Sequence, residues 1–600
     1  MPKNIFEKLK DLFTTQNTKL TSIATKLEEL EIGGGSGVGQ VDATPGATYH
    51  GEIFNTYKGN DINKATGMAT HAEGYHTTAS GMGAHAECVF TTASGEYSHA
   101  EGQNTTASGY FSHAEGQNTT ATKDGAHAEG ENCDATGLRA HAEGFDTTAS
   151  GRDSHSEGDI TTASGYCAHA EGYSTTASGD YTHAEGRETE SSGEDSHAEG
   201  YHTTASGMGA HAECVFTTAS GEYSHAEGSS TIASGNYGSH SEGQNTIASG
   251  QSSHAEGLSS AAQNLCSHAE GELTLASGSK SHAEGTGSVA KYNDCHAEGN
   301  YTYANGYSAH TEGSDTQIFT GTNQAHAEGR GSLCGTVESD RMNKVYDIHN
   351  CYSGLTSVGN SASAGHAEGQ NTRCWGDYSH AEGDRCIVIG QSSHVEGYMN
   401  VIGSSGPDVE AVCPPATYTK RAPTAYYAHC EGSSNHVGGN SSHGEGYQNH
   451  VHADFSHAEG MNNMIYAQTS HVEGYGNTIG TTTANDNSGM MSHVEGRDNI
   501  TIGDYSHVEG QGNESNTSYQ HVQGKYNVAD DTMQMIIGYG TNVSNTITRK
   551  NIFTVDKTGN IQCGESDTTG DFTGSYGTVN GVDLVQLAAD VAAIKQHLGI

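Results

Sequence analysis

Between His71 and His521 the chain sets a small apolar residue at two fixed points in every fourteen and polar residues at most of the others. With the histidine of each His-Ala-Glu-Gly motif counted as position 0, alanine stands at positions 1 and 8, as in Ala100 and Ala107. Glycine stands at 3 and 10, and Thr-Thr-Ala-Ser-Gly fills 6 to 10. The motif and its close variants occur 29 times, and 23 of the 28 intervals between them are 14 residues. That period is too short for a helical hairpin or a propeller blade and falls in the range of β-solenoid coils, one coil to a rung. The pattern predicts two short strands per rung, with glycines 3 and 10 at the turns because glycine enters left-handed conformations without penalty. At about 4.8 Å per rung, 29 rungs give a shaft on the order of 140 Å.

Alternation along a strand puts positions 0 and 2 on one face and positions 13 and 1 on the other, so His and Glu share a face. Positions 1 and 8 are expected to meet inside the roll. They are mostly alanine early, as Ala114 and Ala107, and enlarge together late, to Val395 with Ile402 and Val472 with Ile479. A roll filled by alanine buries too little apolar surface, at roughly 25 cal/mol per Å², to stand alone. The ends offer partners. Leu20, Ile23, Leu27 and Leu30 close an a/d heptad series in residues 1–32, and Leu584, Leu587, Val591 and Ile594 form another in 581–600. Both read as short coiled-coil helices, the first followed by a Gly-rich linker and lead-in over 33–70.

Composition removes several classes. Hydrophobic residues are 32% of 600, with 82 Gly and one Trp, too few for a large globular core. Strict periodicity argues against disorder. A formal charge of -46 with 26 scattered Lys and Arg excludes a phosphate-binding surface, so no nucleic-acid partner is expected. No basic start with an apolar run and no stretch of 18 apolar residues is present, so neither Sec export nor membrane insertion is expected. Thirteen cysteines at irregular phases give no disulfide or zinc framework, which suits assembly in a reducing cytoplasm. No catalytic set stands out. A strand puts His and Glu on one face without the second His of a helical zinc-protease motif, and an enzyme needs one site rather than a column of them. Residues 71–102 and 197–228 are identical, as expected of a shaft lengthened by copying.

Ser-His-Ala-Glu-Gly with Thr-Ala-Ser-Gly, as in Ser98 to Gly109, resembles the YadA-like head repeat of trimeric autotransporter adhesins. The resemblance covers about 450 residues and implies a left-handed parallel β-roll in a homotrimer. His and Glu stand here where that family has Val and Ile, and neither the family's export signal nor its C-terminal membrane barrel is expected. A second resemblance lies in Gly524 to Val528, Ile536 to Thr541 and Asn551 to Asn560. That run is similar to the segment closing the His-Ala-Glu-Gly shafts of phage tail-fibre and appendage proteins. The expectation is a non-enzymatic trimeric tail fibre on a virion, assembled in the host cytoplasm. Its N-terminus would bind baseplate or tail proteins, and its distal half a cell-surface glycan or protein receptor.

In the resembling family the Val/Ile face packs at the trimer interface. The resemblance therefore implies rings of His71 and Glu73, His99 and Glu101, His113 and Glu115, His141 and Glu143, His183 and Glu185, His254 and Glu256, His457 and Glu459, and His507 and Glu509. Buried charge must be paired, which points to His-Glu bonds between chains, a neutral hydrogen-bonded ladder, or trapped water or an ion. No cofactor is expected, although three imidazoles could converge on a metal at the three-fold axis. If pairing raises His and lowers Glu, stability peaks between their titrations.

Regular rolls are expected over 71–326, 366–397 and 429–524, with a β-rich cap over 525–580. Insertions interrupt them at 327–365 and 398–428, and loops on a rigid scaffold are where recognition usually sits. The second carries four of the six prolines with Tyr418, Lys420, Arg421, Tyr426 and Tyr427, side chains suited to sugars and anionic polymers. The first offers Arg341, Tyr346 and Tyr352. A row of aromatics at position 12, as Tyr97 and Phe111, reads as a packed outer ridge. Three other functions compete: a bacterial surface adhesin; an ice-binding solenoid, suggested by paired Thr rows such as Thr105 with Thr106; and, more distantly, a depolymerase tailspike.

Overall fold

The structure, a computed structural model, describes residues 63–335, 363–403, 425–481 and 488–563, with isolated strand pieces at Thr48–Tyr49, Thr578–Val579 and Val582–Asp583. The regular elements of the described residues are all strands, and they form parallel β-solenoid of 14-residue rungs. The chain divides into two compact units, residues 1–259 and 260–600. The N-terminal heptad segment lies outside the described residues, as do Leu584, Leu587, Val591 and Ile594 of the C-terminal one and Arg341, Tyr346, Tyr352, Tyr418, Lys420 and Arg421; Val582–Asp583, at the start of the C-terminal segment, is strand rather than the expected helix.

In the first unit, fourteen five-residue strands run from His71–Tyr75 to His254–Leu258 and stack in register, His127 opposite His141 and Glu129 opposite Glu143. Two-residue strands at positions 7 and 8, such as Thr106–Ala107 and Thr120–Ala121, make a second parallel sheet. Ala100, Ala107, Ala114 and Ala121 are 0% exposed and belong to one core between the sheets. Burying one alanine methyl contributes only about 0.8 kcal/mol, so the core is thin.

Two expectations about local structure need correction. Glycine 3 is inside the long strand rather than at a turn. A Cβ on Gly130 would sit 2.1 Å from the Gly144 carbonyl oxygen of the next rung, and its φ is +116°. The first corner falls instead at position 5, while glycine 10 opens the second turn, over positions 10 to 12, as expected; positions 5 and 12 are held in the left-handed region by non-glycine residues such as Asn104, Asn118, Tyr97 and Phe111. That conformation costs roughly 1–2 kcal/mol per residue. Stacking of like side chains offsets part of it: Asn104 donates to Asn118 at 3.0 Å, and Tyr97 and Phe111 stack with centroids 5.1 Å apart. The second correction removes the ice-binding reading. Thr105 is buried and Thr106 is partly exposed, so positions 6 and 7 face opposite ways and no flat paired-Thr surface forms.

The second unit has fifteen long strands, from His268–Glu272 to His521–Lys525. Its late rungs replace the position-6 threonine with a buried asparagine ladder. Asn463 Nδ2 donates to the Glu459 carbonyl at 2.7 Å and to the Gly474 carbonyl at 2.9 Å, while its Oδ1 accepts the Asn477 N–H at 2.9 Å. Asn435, Asn449, Asn477, Asn499 and Asn513 repeat the arrangement. Asn463→Ala strands buried backbone groups in two rungs, and an orphaned polar group costs about 1–3 kcal/mol. Chemical denaturation of this variant is expected to show a loss of about 2–4 kcal/mol, with Asn463→Thr, the early-rung residue, losing less. Equal losses for the two would contradict the ladder's role.

The stack ends in antiparallel pairing. Met533–Tyr539 continues the parallel sheet beside His521–Lys525, and Asn551–Asp556 then pairs with it antiparallel, followed by Ile561–Cys563. Gln520, 1% exposed, replaces the usual position-13 Ser or Ala and donates to the Asp530 and Met533 carbonyls, closing the end of the core.

Candidate functional site

The long strands carry a stripe of His at position 0 and Glu at position 2. Register fixes the ring spacing: His99 and His113 lie 4.8 Å apart and 4° from parallel, His282 and His296 4.7 Å and 3°, His443 and His457 4.6 Å and 4°. His71 is hydrogen-bonded to Glu73 at 3.2 Å. The other same-strand pairs are looser, 3.7 Å at His99–Glu101 and His113–Glu115, 3.8 Å at His141–Glu143 and His507–Glu509, and 3.6 Å at His254–Glu256. His183 with Glu185 and His457 with Glu459 keep the same register. The stripe is half-open to solvent, with side-chain exposures of 37% for His99 and 41% for Glu101. Yet the Nε2 atoms of His99, His113, His127, His141 and His155 are buried and lack a hydrogen-bond partner within the chain.

Electrostatics within one chain runs against raised imidazoles. Burial, and after it the neighbouring ring, lowers His99, His113, His127 and His141 below the ordinary value, and the Glu residues beside them only partly oppose this. His366 and His443 are pushed down to about 4. Glu227 is raised, first by burial and then by Glu213. At His99, His113, His127 and His141 the imidazoles are therefore disfavoured as cations beside their carboxylates, because rings stacked under 5 Å apart cannot all carry charge. Groups such as His127, Glu129 and His141 have ligand atoms within 4.8 Å of one another, a spacing open to an ion.

The insertions enter at one corner of the rung. Each insertion follows the second strand of a rung, lying between Leu333–Cys334 and His366–Gln370, Val401–Ile402 and His429–Ser433, and Thr478–Ile479 and His493–Arg497. Tyr426 and Tyr427, expected in the second insertion, belong to the rung itself. Tyr427 is 69% exposed, left-handed, and bonded through its N–H to the Gln391 carbonyl at position 11 of the preceding rung. It joins the aromatic row at position 12, where Phe111, Tyr223 and Tyr378 are also exposed.

One cluster was not anticipated from sequence. His436, His450 and His452 stand on the outer face of the second sheet, at positions 7 and 9 of two successive rungs. Counting His along the whole repeat, rather than at position 0 alone, would have found them.

The family model described as YadA head domain repeat matches two copies in this chain, residues 100–122 and 269–290. No curated relative matches the chain. A β-solenoid bearing YadA head repeats is a structural, adhesin-type fold.

Proposed function

We propose that this chain is a non-enzymatic subunit of a homotrimeric fibre that attaches a phage or phage-like particle to its host cell. The observation that carries the reading is the histidine stripe. Buried Nε2 atoms without a hydrogen-bond partner within the chain, as at His99, His113, His127, His141 and His155, beside half-exposed carboxylates, are costly in a lone chain and are satisfied when other copies bring their Glu side chains to them. The thin alanine core supports the same need for partners. In this reading the fibre is assembled in the host cytoplasm and carried on the virion. The N-terminal segment joins it to baseplate or tail proteins, and insertions from one corner meet a cell-surface glycan or protein. The closing segment from Gly524, with its likeness to tail-fibre shafts, favours a phage particle. The charge of -46 disfavours nucleic acid as a partner.

The YadA head match favours a second reading, a bacterial surface adhesin of the trimeric-autotransporter type. Mass spectrometry of purified phage particles and of washed bacterial surfaces separates the two, since the protein belongs to one fraction or the other. Deleting residues 404–424, which carry Tyr418, Lys420 and Arg421, is expected to leave a folded trimer whose binding to cells falls at least about tenfold. Unchanged adsorption moves the receptor site to the Arg341–Tyr352 segment or to the cap.

A further inference from the structure

On the outer face of the second sheet, positions 7 and 9 are occupied by Thr and Ser through most of the first unit, as Thr106 and Ser108. The rungs of His429 and His443 differ: they place His436, His450 and His452 side by side. Ring centroids are 6.2 Å apart for His436 and His450, 5.4 Å for His436 and His452, and 6.0 Å for His450 and His452. One ligand nitrogen from each lies within 4.8 Å of the other two. We propose that these three imidazoles form a binding site for a borderline divalent transition metal such as Zn²⁺ or Co²⁺, linking two successive rungs.

Several features fit that chemistry. The Nε2 of His436 lies 2.8 Å from the Gly403 carbonyl oxygen and donates to it. This fixes the tautomer, so Nδ1 carries the free lone pair, the usual role of an outer hydrogen bond on a ligating histidine. His452 is held by stacking on Tyr466, with centroids 5.1 Å apart and planes 1° from parallel. Gly438 occupies position 9 beside His436, and a Cβ there would meet nothing closer than 3.8 Å, so space is left between the rings. All three imidazoles remain partly exposed, which gives an ion a route in.

The metal-ligand atoms in the cluster are imidazole nitrogens without a carboxylate, which selects Zn²⁺, Co²⁺, Ni²⁺ or Cu²⁺ over Ca²⁺ or Mg²⁺. An ion held by three imidazoles would sit about 2.0–2.1 Å from each nitrogen. Water can complete four ligands; Met464, opposite His450 in the next rung, has its thioether engaged by the Tyr466 hydroxyl at 3.4 Å.

The test titrates Co²⁺ into metal-free full-length protein and follows visible absorption, with His450→Thr and His452→Ser as variants. Thr and Ser are what other rungs carry on this face, so folding is expected to survive, and metal-free melting checks it. The proposal expects one tight equivalent per chain with the intense spectrum of a four-coordinate ion, lost in either variant. Should a variant misfold, retention of the spectrum in the Met464→Leu protein but not in His436→Gln serves the same end. Equal binding and spectra in parent and variants would assign the metal to the position-0 ladder and overturn the proposal, as would the lack of any micromolar site in the parent.

Discussion

Acidification from about pH 7.5 to about pH 4.5 is expected to lower the melting temperature by on the order of 10 °C. His99, His113, His127, His141, His155 and His169 all lie below their ordinary value because burial, and then a stacked neighbour, penalises the cation. Such a group binds fewer protons folded than unfolded. Its contribution is complete above the unfolded value of 6.5 and is lost as pH falls through the folded one, about 4 at His366 and His443. The rings are over a third exposed, so screening reduces each contribution to about 0.5 kcal/mol. The same sign recurs rung after rung, and the sum reaches several kcal/mol. Melting followed by circular dichroism from acid to mildly alkaline pH reads this directly. A plateau above the unfolded value is expected. A flat profile, or stability falling as pH rises from 6 to 8 as paired His cations would require, contradicts it. A melt that depends on chelator brings in an ion at the ladder.

Reversing charge along the stripe is the second large effect. Glu129, Glu143 and Glu157 are 48%, 49% and 37% exposed, so replacing them with Lys disturbs little inside one chain. In a trimer the same three changes bring nine ammonium groups against imidazoles that have lost their acceptors. A cost of about 3 kcal/mol weakens assembly about a hundredfold. Monomer is expected at concentrations where the parent is trimeric, with far-UV circular dichroism unchanged. Trimers of undiminished stability would take the stripe out of the interface.

The repeat made the rung legible because strand alternation is rigid: once His and Glu share a face, Ala100 and Ala107 must turn inward. The first corner was misread because glycine was taken as the mark of a left-handed residue. Here Gly130 sits in a strand, favoured by a φ of +116° and a carbonyl 2.1 Å from its missing Cβ, whereas Tyr97 and Asn104 occupy the left-handed corners and offset part of the cost by stacking on the next rung. A single copy of the motif cannot show that, since the compensation lies between rungs. The loose His–Glu geometry was hidden for a related reason. Sharing a face does not bring Nε2 and carboxylate into bonding alignment, and desolvation set the sign of the shift. The histidines at 436, 450 and 452 were overshadowed by those at position 0, although their phase was on the page.

Sedimentation of the full-length protein at micromolar concentration tests the trimer most directly. A single species of three chains, dissociating when Glu129, Glu143 and Glu157 are replaced by Lys, is the expected result. A stable monomer with cooperative melting would contradict it, since the lone chain would then tolerate the buried Nε2 atoms of His99, His113, His127, His141 and His155 without a hydrogen-bond partner.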